Sequence, residues 1–482
     1  MNNCFRKEES GVSVRSALDA LFKPRSVALV GASEKPGSFN TGKTKLMLHY
    51  YPGPVFLVHP RHDTIMGRRT FPSVLDIPET PSMALVMVPA RQVPQVVEEC
   101  GQKGISVVQI LSSGFGESGE EGRALEAPIK ESAERWNMRI IGPNCIGTYC
   151  PASGIHLAEG ASSVPGHVGL ISQSGGMAVD FAVRGNSMGL RYSKLVSIGN
   201  CLDLNHTDFL EYLTDDPETD IIGLYVESVR DGQRFLEALR RATARKPVVI
   251  LKGGRTEAGN RAAASHTGGL AGSYRVWQAV FRQTGAIEVR STEEMLGVLS
   301  ALQSVRPTQK GLAMVGNGGG ATVLATDSCL EEGLHFARLS AETGRQLTEC
   351  SRSISPHAVN PIDLTAMELC AGAGETFGNI LRLFSEDDAT GCVLFHLNLI
   401  SFTNQGNLPE MAERMTAKAV EIAEGGTSVV AVLRYSGDPA IEQVRCSMAS
   451  ALGNAGIPVF MSIEEALHAV SVVTHWAAKK GQ

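Results

Sequence analysis

The residues with the clearest chemical potential lie in Lys252-Gly253-Gly254-Arg255 and the run that follows, Ala262-Ala263-Ala264-Ser265-His266-Thr267-Gly268-Gly269-Leu270-Ala271-Gly272. Nearly every neighbour of His266 is Ala, Gly, Ser or Thr, so little bulk shields the imidazole and backbone N–H groups can approach what it carries. Imidazole titrates near ~6.5, so at neutral pH it is largely unprotonated and able to attack phosphorus or an acyl carbon. A carboxylate to hold the ring N–H and fix its tautomer is available in Glu227, which closes the apolar run ending Tyr225-Val226-Glu227. Two glycine-led helix openings can bind an anion: Ser172-Gln173-Ser174-Gly175-Gly176, and Gly316-Asn317-Gly318-Gly319-Gly320-Ala321-Thr322. Each offers backbone donors and the positive end of a helix dipole.

A third glycine turn, Val30-Gly31-Ala32-Ser33-Glu34-Lys35-Pro36-Gly37, follows the first apolar run. After the second run an NAD enzyme usually carries an acid for the ribose hydroxyls. This chain has His59-Pro60-Arg61-His62 instead. That basic ending fits a ribose bearing phosphate, which leaves NADP or coenzyme A, with Arg61, Arg68 and Arg69 as available cations. Val88-Pro89-Ala90, Ser112-Ser113-Gly114-Phe115 and Gly142-Pro143-Asn144 end later runs and form the rim of a ligand crevice.

The elements that must position these groups alternate strand and helix throughout, which predicts parallel, doubly wound α/β sheets. Strands are expected at 26–31, 55–59, 84–89, 106–111 and 139–142, with helices at 42–50, 91–102 and 119–136. The polar stretch 151–166 reads as a linker. A second alternation follows, with His266 on the loop between a strand at 247–251 and a helix at 273–284. A hinge at 304–309 precedes a third unit, whose terminal helix covers 463–478. The expected domains are 1–150, 151–305 and 306–482.

At 482 residues the chain exceeds one core, and 43% hydrophobic with 20% charged residues is an ordinary globular composition. A net charge of -6 argues against a nucleic-acid binder, which needs a basic face. The first ten residues have no apolar core of signal-peptide length, and no run approaches the ~20 apolar residues of a membrane span, so a cytoplasmic protein is expected. Ten cysteines without a C-x-x-C pair read as reduced core residues, Cys145 included, and no metal site is expected.

Taken together, Ser265-His266-Thr267-Gly268 with Ala271-Gly272, Ser172-Gln173-Ser174-Gly175-Gly176, Ile198-Gly199-Asn200 and Gly142-Pro143-Asn144-Cys145 resemble the NDP-forming acyl-CoA synthetases, above all the alpha subunit of ADP-forming acetate–CoA ligases, with succinyl-CoA synthetase more distant. The resemblance covers about residues 20 to 475. It implies a Rossmann-like CoA-binding domain followed by two flavodoxin-like ligase domains. It implies that His266 carries a phosphoryl group, that Glu227 orients it, that Ser174 and Gly175 form one phosphate clasp, and that Gly318 and Gly319 form a second. Gly31, Ser33, Pro36, Arg61, Val88, Pro89, Ser113, Gly114 and Asn144 then fall on the CoA side. The family also needs an ATP-grasp module for ATP and Mg. The three domains leave no room for one and no nucleotide-binding P-loop is expected here, so a separate beta subunit in a heterotetramer is implied, with a small carboxylate as substrate. That carboxylate is not legible: acetate, branched, aryl, dicarboxylic and substituted acids such as sulfoacetate all stay open. Two other readings compete, a non-catalytic CoA-binding regulatory protein and an NADP-dependent oxidoreductase.

Overall fold

Apolar runs of three to eight residues become parallel strands here because helices crossing between them cover both faces of each sheet. Every residue of Val27–Val30, Met83–Val86 and Val107–Ile110 is buried. The computed structural model describes residues 13–267, 273–354, 360–404 and 406–480, excepting the side chains of 263–267 and 480.

Three sheets follow one another along the chain. In the first, β1 (Val27–Val30), β2 (Val55–Val58), β3 (Thr64–Ile65), β4 (Arg68–Phe71), β5 (Met83–Val86), β6 (Val107–Ile110) and β7 (Arg139–Ile141) take the order β3-β4-β2-β1-β5-β6-β7. The second comprises β8 (Thr148–Tyr149), β9 (Val168–Ser172), β10 (Tyr192–Ser197), β11 (Ile221–Val226), β12 (Val248–Lys252) and β13 (Ile287–Val289), ordered β13-β12-β11-β9-β10-β8. The third comprises β14 (Gly311–Gly316), β15 (Ile362–Asp363), β16 (Thr390–Leu397), β17 (Ser428–Leu433) and β18 (Val459–Phe460), ordered β15-β14-β16-β17-β18. Among the described residues the strand pairs are parallel except β3–β4 and β8–β10. The expected α/β class with parallel sheets is what forms. Among the described residues no helix is long and apolar enough to cross a membrane.

By its contacts the chain forms two compact units, Met1–Val183 with Arg191–Val289, and Arg184–Leu190 with Arg290–Gln482. In the first unit one buried cluster runs from Leu29, Leu57 and Met83 of the first sheet to Val196, Ile222 and Ile250 of the second. An unexpected helix, Val14–Phe22, joins that core. Its Phe22 ring stacks on Tyr212 at 5.6 Å, and the Tyr212 hydroxyl donates to Asp19 at 2.9 Å. In the second unit Asn360, nine-tenths buried, donates to the Leu312 and Ala337 carbonyls and accepts from Met314 N, which fixes β15 beside β14.

Two expectations need correction. Residues 151–166 are not a free linker: His156 stacks on Tyr50 at 3.7 Å, Lys43 Nζ donates to the Leu157 carbonyl at 2.6 Å, and Ile155 and Leu157 are buried. A few anchors outweigh the polar average of that stretch. The helix expected at 119–136 is two, Glu120–Ala124 and Glu126–Arg135, because Pro128 lacks the N–H that a continuous helix requires and fits only a first turn. A further helix, Thr292–Ser304, precedes the expected hinge, started by the Ser291 side chain accepting from Glu294 N at 3.1 Å.

The loop after β10 is held against the loop after β7. Asn200 N donates to Pro143 O and Leu202 N to Gly142 O, both at 2.9 Å. Gly199 makes this possible: its φ is +54°, and a Cβ there would lie 2.2 Å from Pro143 O. Gly199→Ala therefore combines a left-handed backbone penalty with a main-chain clash and should cost about 3 kcal/mol, read as a lower urea midpoint by the fluorescence of Trp277 in this unit; an unchanged midpoint contradicts the packing.

Candidate active site

Three neighbouring parallel strands of the second sheet each deliver a polar residue to the same edge. β9 leads into Gln173, β11 into Glu227, and β12 ends on Lys252. The Gln173 side-chain oxygen accepts from Glu227 N at 2.8 Å and Ser228 N at 3.1 Å, and its amide nitrogen donates to the Ser228 hydroxyl at 3.3 Å. Lys252 Nζ donates to the Glu227 carbonyl at 2.9 Å and to the Gly253 carbonyl, and lies 5.7 Å from the centre of the Trp277 ring. The Tyr225 hydroxyl donates to Glu227 Oε1 at 3.1 Å.

Glu227 is 5% exposed and Lys252 2%, so the edge buries one carboxylate beside one amine. Burial lowers Lys252 to about 8, with the nearby Glu227 charge opposing that shift. Burial, then Glu227, pushes the Tyr225 phenol up, so it stays a donor at neutral pH. Gly253 is needed for this approach, since a Cβ there would sit 2.8 Å from the Tyr225 hydroxyl and 3.3 Å from Glu227 Cγ.

Ser174 and Gly175 stand where the sequence puts them, at the start of the helix Gly175–Ser187. The Ser174 hydroxyl accepts from Met177 N at 3.4 Å, and the Ser172 hydroxyl donates to the Ser174 carbonyl at 2.7 Å. First-turn N–H groups have no acceptor within the helix ladder, so those that Ser174 does not cap can face an anion. A Cβ at Gly175 would lie 2.4 Å from Ile146 Cγ1, whereas one at Gly176 would meet nothing within 4 Å. The first glycine is dictated by packing and the second keeps the approach open.

His266 departs from expectation. It lies in the last turn of a helix, Glu257–Thr267, rather than on a loop. The small residues around it include an Ala run, which favours helix, and Thr256 starts the helix by accepting from Gly259 N at 3.1 Å. The side chain of His266 lies outside the described residues, as do residues 268–272 entirely.

At the first sheet, β1 lies between β2 and β5, so connections leave it in both directions and a crevice opens at the strand ends. Gly31, Ser33 and Pro36 follow β1, Arg61 follows β2, Val88 and Pro89 follow β5, Ser113 and Gly114 follow β6, and Asn144 follows β7. Gly31 has φ +88°, and a Cβ would meet Met87 O at 2.7 Å. Gly114 N is not a free donor: Glu117 Oε1 accepts it at 2.6 Å, while Glu117 Oε2 accepts from Asn200 at 2.5 Å. Asn144, with φ +56°, donates to Asn200 at 3.4 Å. Exposed Arg61 beside an acid-free β2 ending is a donor set suited to a phosphorylated ribose. Arg68 and Arg69 belong to β4, where Arg69 covers the Phe71 ring.

Contrary to expectation, the chain does contain the P-loop spacing, as Gly37, Gly42, Lys43 and Thr44. The structure gives those residues another use. The helix already begins at Phe39, so Lys43 is in its second turn, buried, with Nζ on the Leu157 carbonyl. Thr44 is fully buried and donates to Asn40 O. Cys145 is likewise structural: its thiol is buried against Ile110 O and pushed up to about 12 by burial.

The second glycine-led helix is Gly319–Glu331, in the second unit. Gly318 N donates to Asp363 Oδ1 at 2.7 Å, so its donor is engaged within the protein. Sequence reasoning missed Asp363, and it also missed the joint role of Gln173, Tyr225 and Lys252. The signal for that joint role was a polar residue at or just beyond the end of three neighbouring apolar runs.

Comparison with known proteins adds three findings. Residues 25–151 match the family model of a CoA binding domain, and 165–302 that of a succinyl-CoA ligase like flavodoxin domain. The chain is 37% identical over 482 residues to the alpha subunit of ADP-forming acetate–CoA ligase I of Pyrococcus furiosus, covering 97% of this chain and 99% of that one. It is 36% identical over 463 residues to ADP-forming acetate–CoA ligase I of Archaeoglobus fulgidus, covering 95% of this chain but 64% of that relative's length. A solved structure of acetyl-coenzyme A synthetase 1 from Ca. Korarchaeum cryptofilum, in complex with phosphate and ADP, superposes with a TM-score of 0.81 at 28% identity, covering 96% of this chain and 97% of that one.

The depressed Lys252 value fixes a pH signature. Unfolded, the amine titrates near ~10.4; folded, at about 8. Between those values the unfolded chain binds more protons, so this group makes stability rise with pH. Wild-type stability measured against Lys252→Met should be level below about pH 8 and climb from there to ~10.4. A difference independent of pH contradicts a desolvated amine.

Proposed function

The chain belongs to the family of ADP-forming acetate–CoA ligase alpha subunits, and on that premise we propose that it makes acyl-CoA from a carboxylate, CoA and ATP with His266 as the phosphoryl carrier. The observation that carries this reading is the buried, cross-linked Glu227, held at the end of β11 beside β12, the strand that leads into the His266 segment. A carboxylate fixed by its own main chain can hold one imidazole N–H, leaving the other nitrogen to attack.

An unprotonated His266 nitrogen attacks the γ-phosphorus of ATP, forming N–P while the bond to ADP breaks. A carboxylate oxygen of the substrate then attacks that phosphorus, releasing the imidazole and giving an acyl phosphate. CoA supplies a thiol, whose sulfur attacks the acyl carbon as phosphate leaves and its proton passes to solvent. The protein's part is positioning and charge neutralisation. Ser174 and the Gly175 N–H form the first phosphate clasp. The helix start at Gly318 and Gly319 forms the second, through the first-turn N–H groups that Asp363 does not take. Gly31, Ser33, Pro36, Arg61, Val88, Pro89, Ser113, Gly114 and Asn144 line the CoA crevice, to which the match with a CoA binding domain lends support.

ATP and Mg belong on a separate ATP-grasp beta subunit. This chain matches an alpha subunit end to end but spans only 64% of the Archaeoglobus ligase, which leaves that relative room for another module. The assembly is a hetero-oligomer in the cytoplasm, acting on a small carboxylate.

The test is intact-mass analysis of the chain mixed with its partner subunit and ATP. One acid-labile phosphoryl group should appear on this chain and be absent from His266→Ala. Labelling that survives that substitution, or no labelling of wild type while acyl-CoA is produced, overturns the reading.

A further inference from the structure

A cavity of about 460 Å³ opens beside the second glycine-led helix, at the ends of β14, β16 and β17 in the second unit. Two helices begin at it, Gly319–Glu331 and Ile463–Lys480, so the positive ends of two dipoles are brought to one space. Arg434, the residue after β17, lines it with an exposed guanidinium, and Arg434 N donates to Leu397 O at 3.1 Å, which places it beside the end of β16. His396 lines the same cavity, is 4% exposed, and its Nδ1 has no hydrogen-bond partner among the described residues. Burial, then the Arg434 charge, lowers this imidazole to about 4, so it is neutral at physiological pH. The acid in the lining is Glu464, in the first turn of its helix.

The donors here are not equivalent. Asp363 takes the Gly318 N–H, and its other oxygen lies 3.2 Å from where a Cβ of Gly319 would stand, so the carboxylate covers the β15 side of this helix start. Gly320, on the cavity side, would meet nothing within 4 Å with a Cβ added. The Ser462 hydroxyl accepts from Glu465 N at 3.2 Å and keeps its own proton to donate. Arg434, the Gly320 N–H and the Ser462 O–H are thus a forked cation and two neutral donors around one space, a set that matches a tetrahedral oxyanion better than a planar neutral group.

We propose that Arg434 is the anchoring residue of a phosphoryl-oxyanion site in this cavity, shared with Gly320 and Ser462, which receives the phosphate released in the reaction or the phosphoryl end of the acyl phosphate. The inference rests on the acyl-phosphate reading above and narrows its second clasp from the helix start alone to an arginine-anchored pocket.

The test uses inorganic phosphate. In the assembled enzyme running toward ATP, Arg434→Ala should raise the KM for phosphate about ten- to a hundredfold, the loss expected of a charged hydrogen bond. KM for the CoA thioester and the thermal midpoint should stay level, with Arg434→Lys recovering part of the loss. On the chain alone, ³¹P line broadening of phosphate should disappear in Arg434→Ala and persist in His266→Ala. A phosphate KM and broadening indifferent to Arg434→Ala overturn the proposal, as does a uniform rise in every KM with a lowered thermal midpoint, which marks a structural arginine. Broadening that depends on Arg434 while His266 never becomes labelled supports the site and removes the phosphohistidine instead.

Discussion

A buried carboxylate beside a buried amine is the constraint from which the polar edge of the second sheet follows. Taking either charge out of water costs several kcal/mol unless its polar atoms are satisfied. Here Gln173 grips the Glu227 and Ser228 amides, Lys252 grips the Glu227 and Gly253 carbonyls, and Tyr225 donates to the carboxylate. Three strands that are neighbours in the order β12-β11-β9 are thereby tied at their ends by side chains as well as by the ladder. Such a network has one low-energy arrangement, which is what a group that must meet an imidazole at a fixed angle requires.

The same economy governs the glycines. Gly175, Gly199 and Gly253 are where backbone or side chain approaches to within 2.2 to 2.8 Å of a missing Cβ, so these positions are dictated by packing. Gly176 and Gly320 have open space around them and leave backbone donors accessible. The two helix starts then differ in a chemically useful way. The one at Gly175 presents the Ser174 hydroxyl and backbone amides, while the one at Gly319 has an internal acid on one side and an arginine on the other. On the proposal above, an anion entering the second would be steered to the Arg434 side by repulsion from Asp363.

Much of this was legible in the chain because parallel strands buried on both faces read as continuous apolar runs, and Glu227, Ser174 and Gly175 each abut one. What escaped depended on partners far along the chain. The helix at Glu257–Thr267 was hidden because small residues suit both an open loop and an Ala-rich helix, and packing decides between them. The anchoring of 151–166 came from single residues such as His156 and Leu157, whose burial no local average reveals. The P-loop spacing at Gly37–Thr44 shows the converse, since a motif is only as good as the helix register beneath it, and here Lys43 points into the protein. Asp363 and Arg434 lie about 45 and 115 residues from the glycines they flank, and only the sheet order brings them together.

The central claim is that Glu227 serves the phosphorylated imidazole rather than the scaffold alone. Its most direct measurement is the rapid-quench rate at which the assembled enzyme transfers phosphoryl from ATP to His266, compared between wild type and Glu227→Gln. The substitution keeps the side chain's shape and removes its charge. The account predicts transfer slowed by a factor on the order of a hundred or more, measured well below both thermal midpoints so that folded enzyme is compared with folded enzyme. Transfer at the wild-type rate would contradict it.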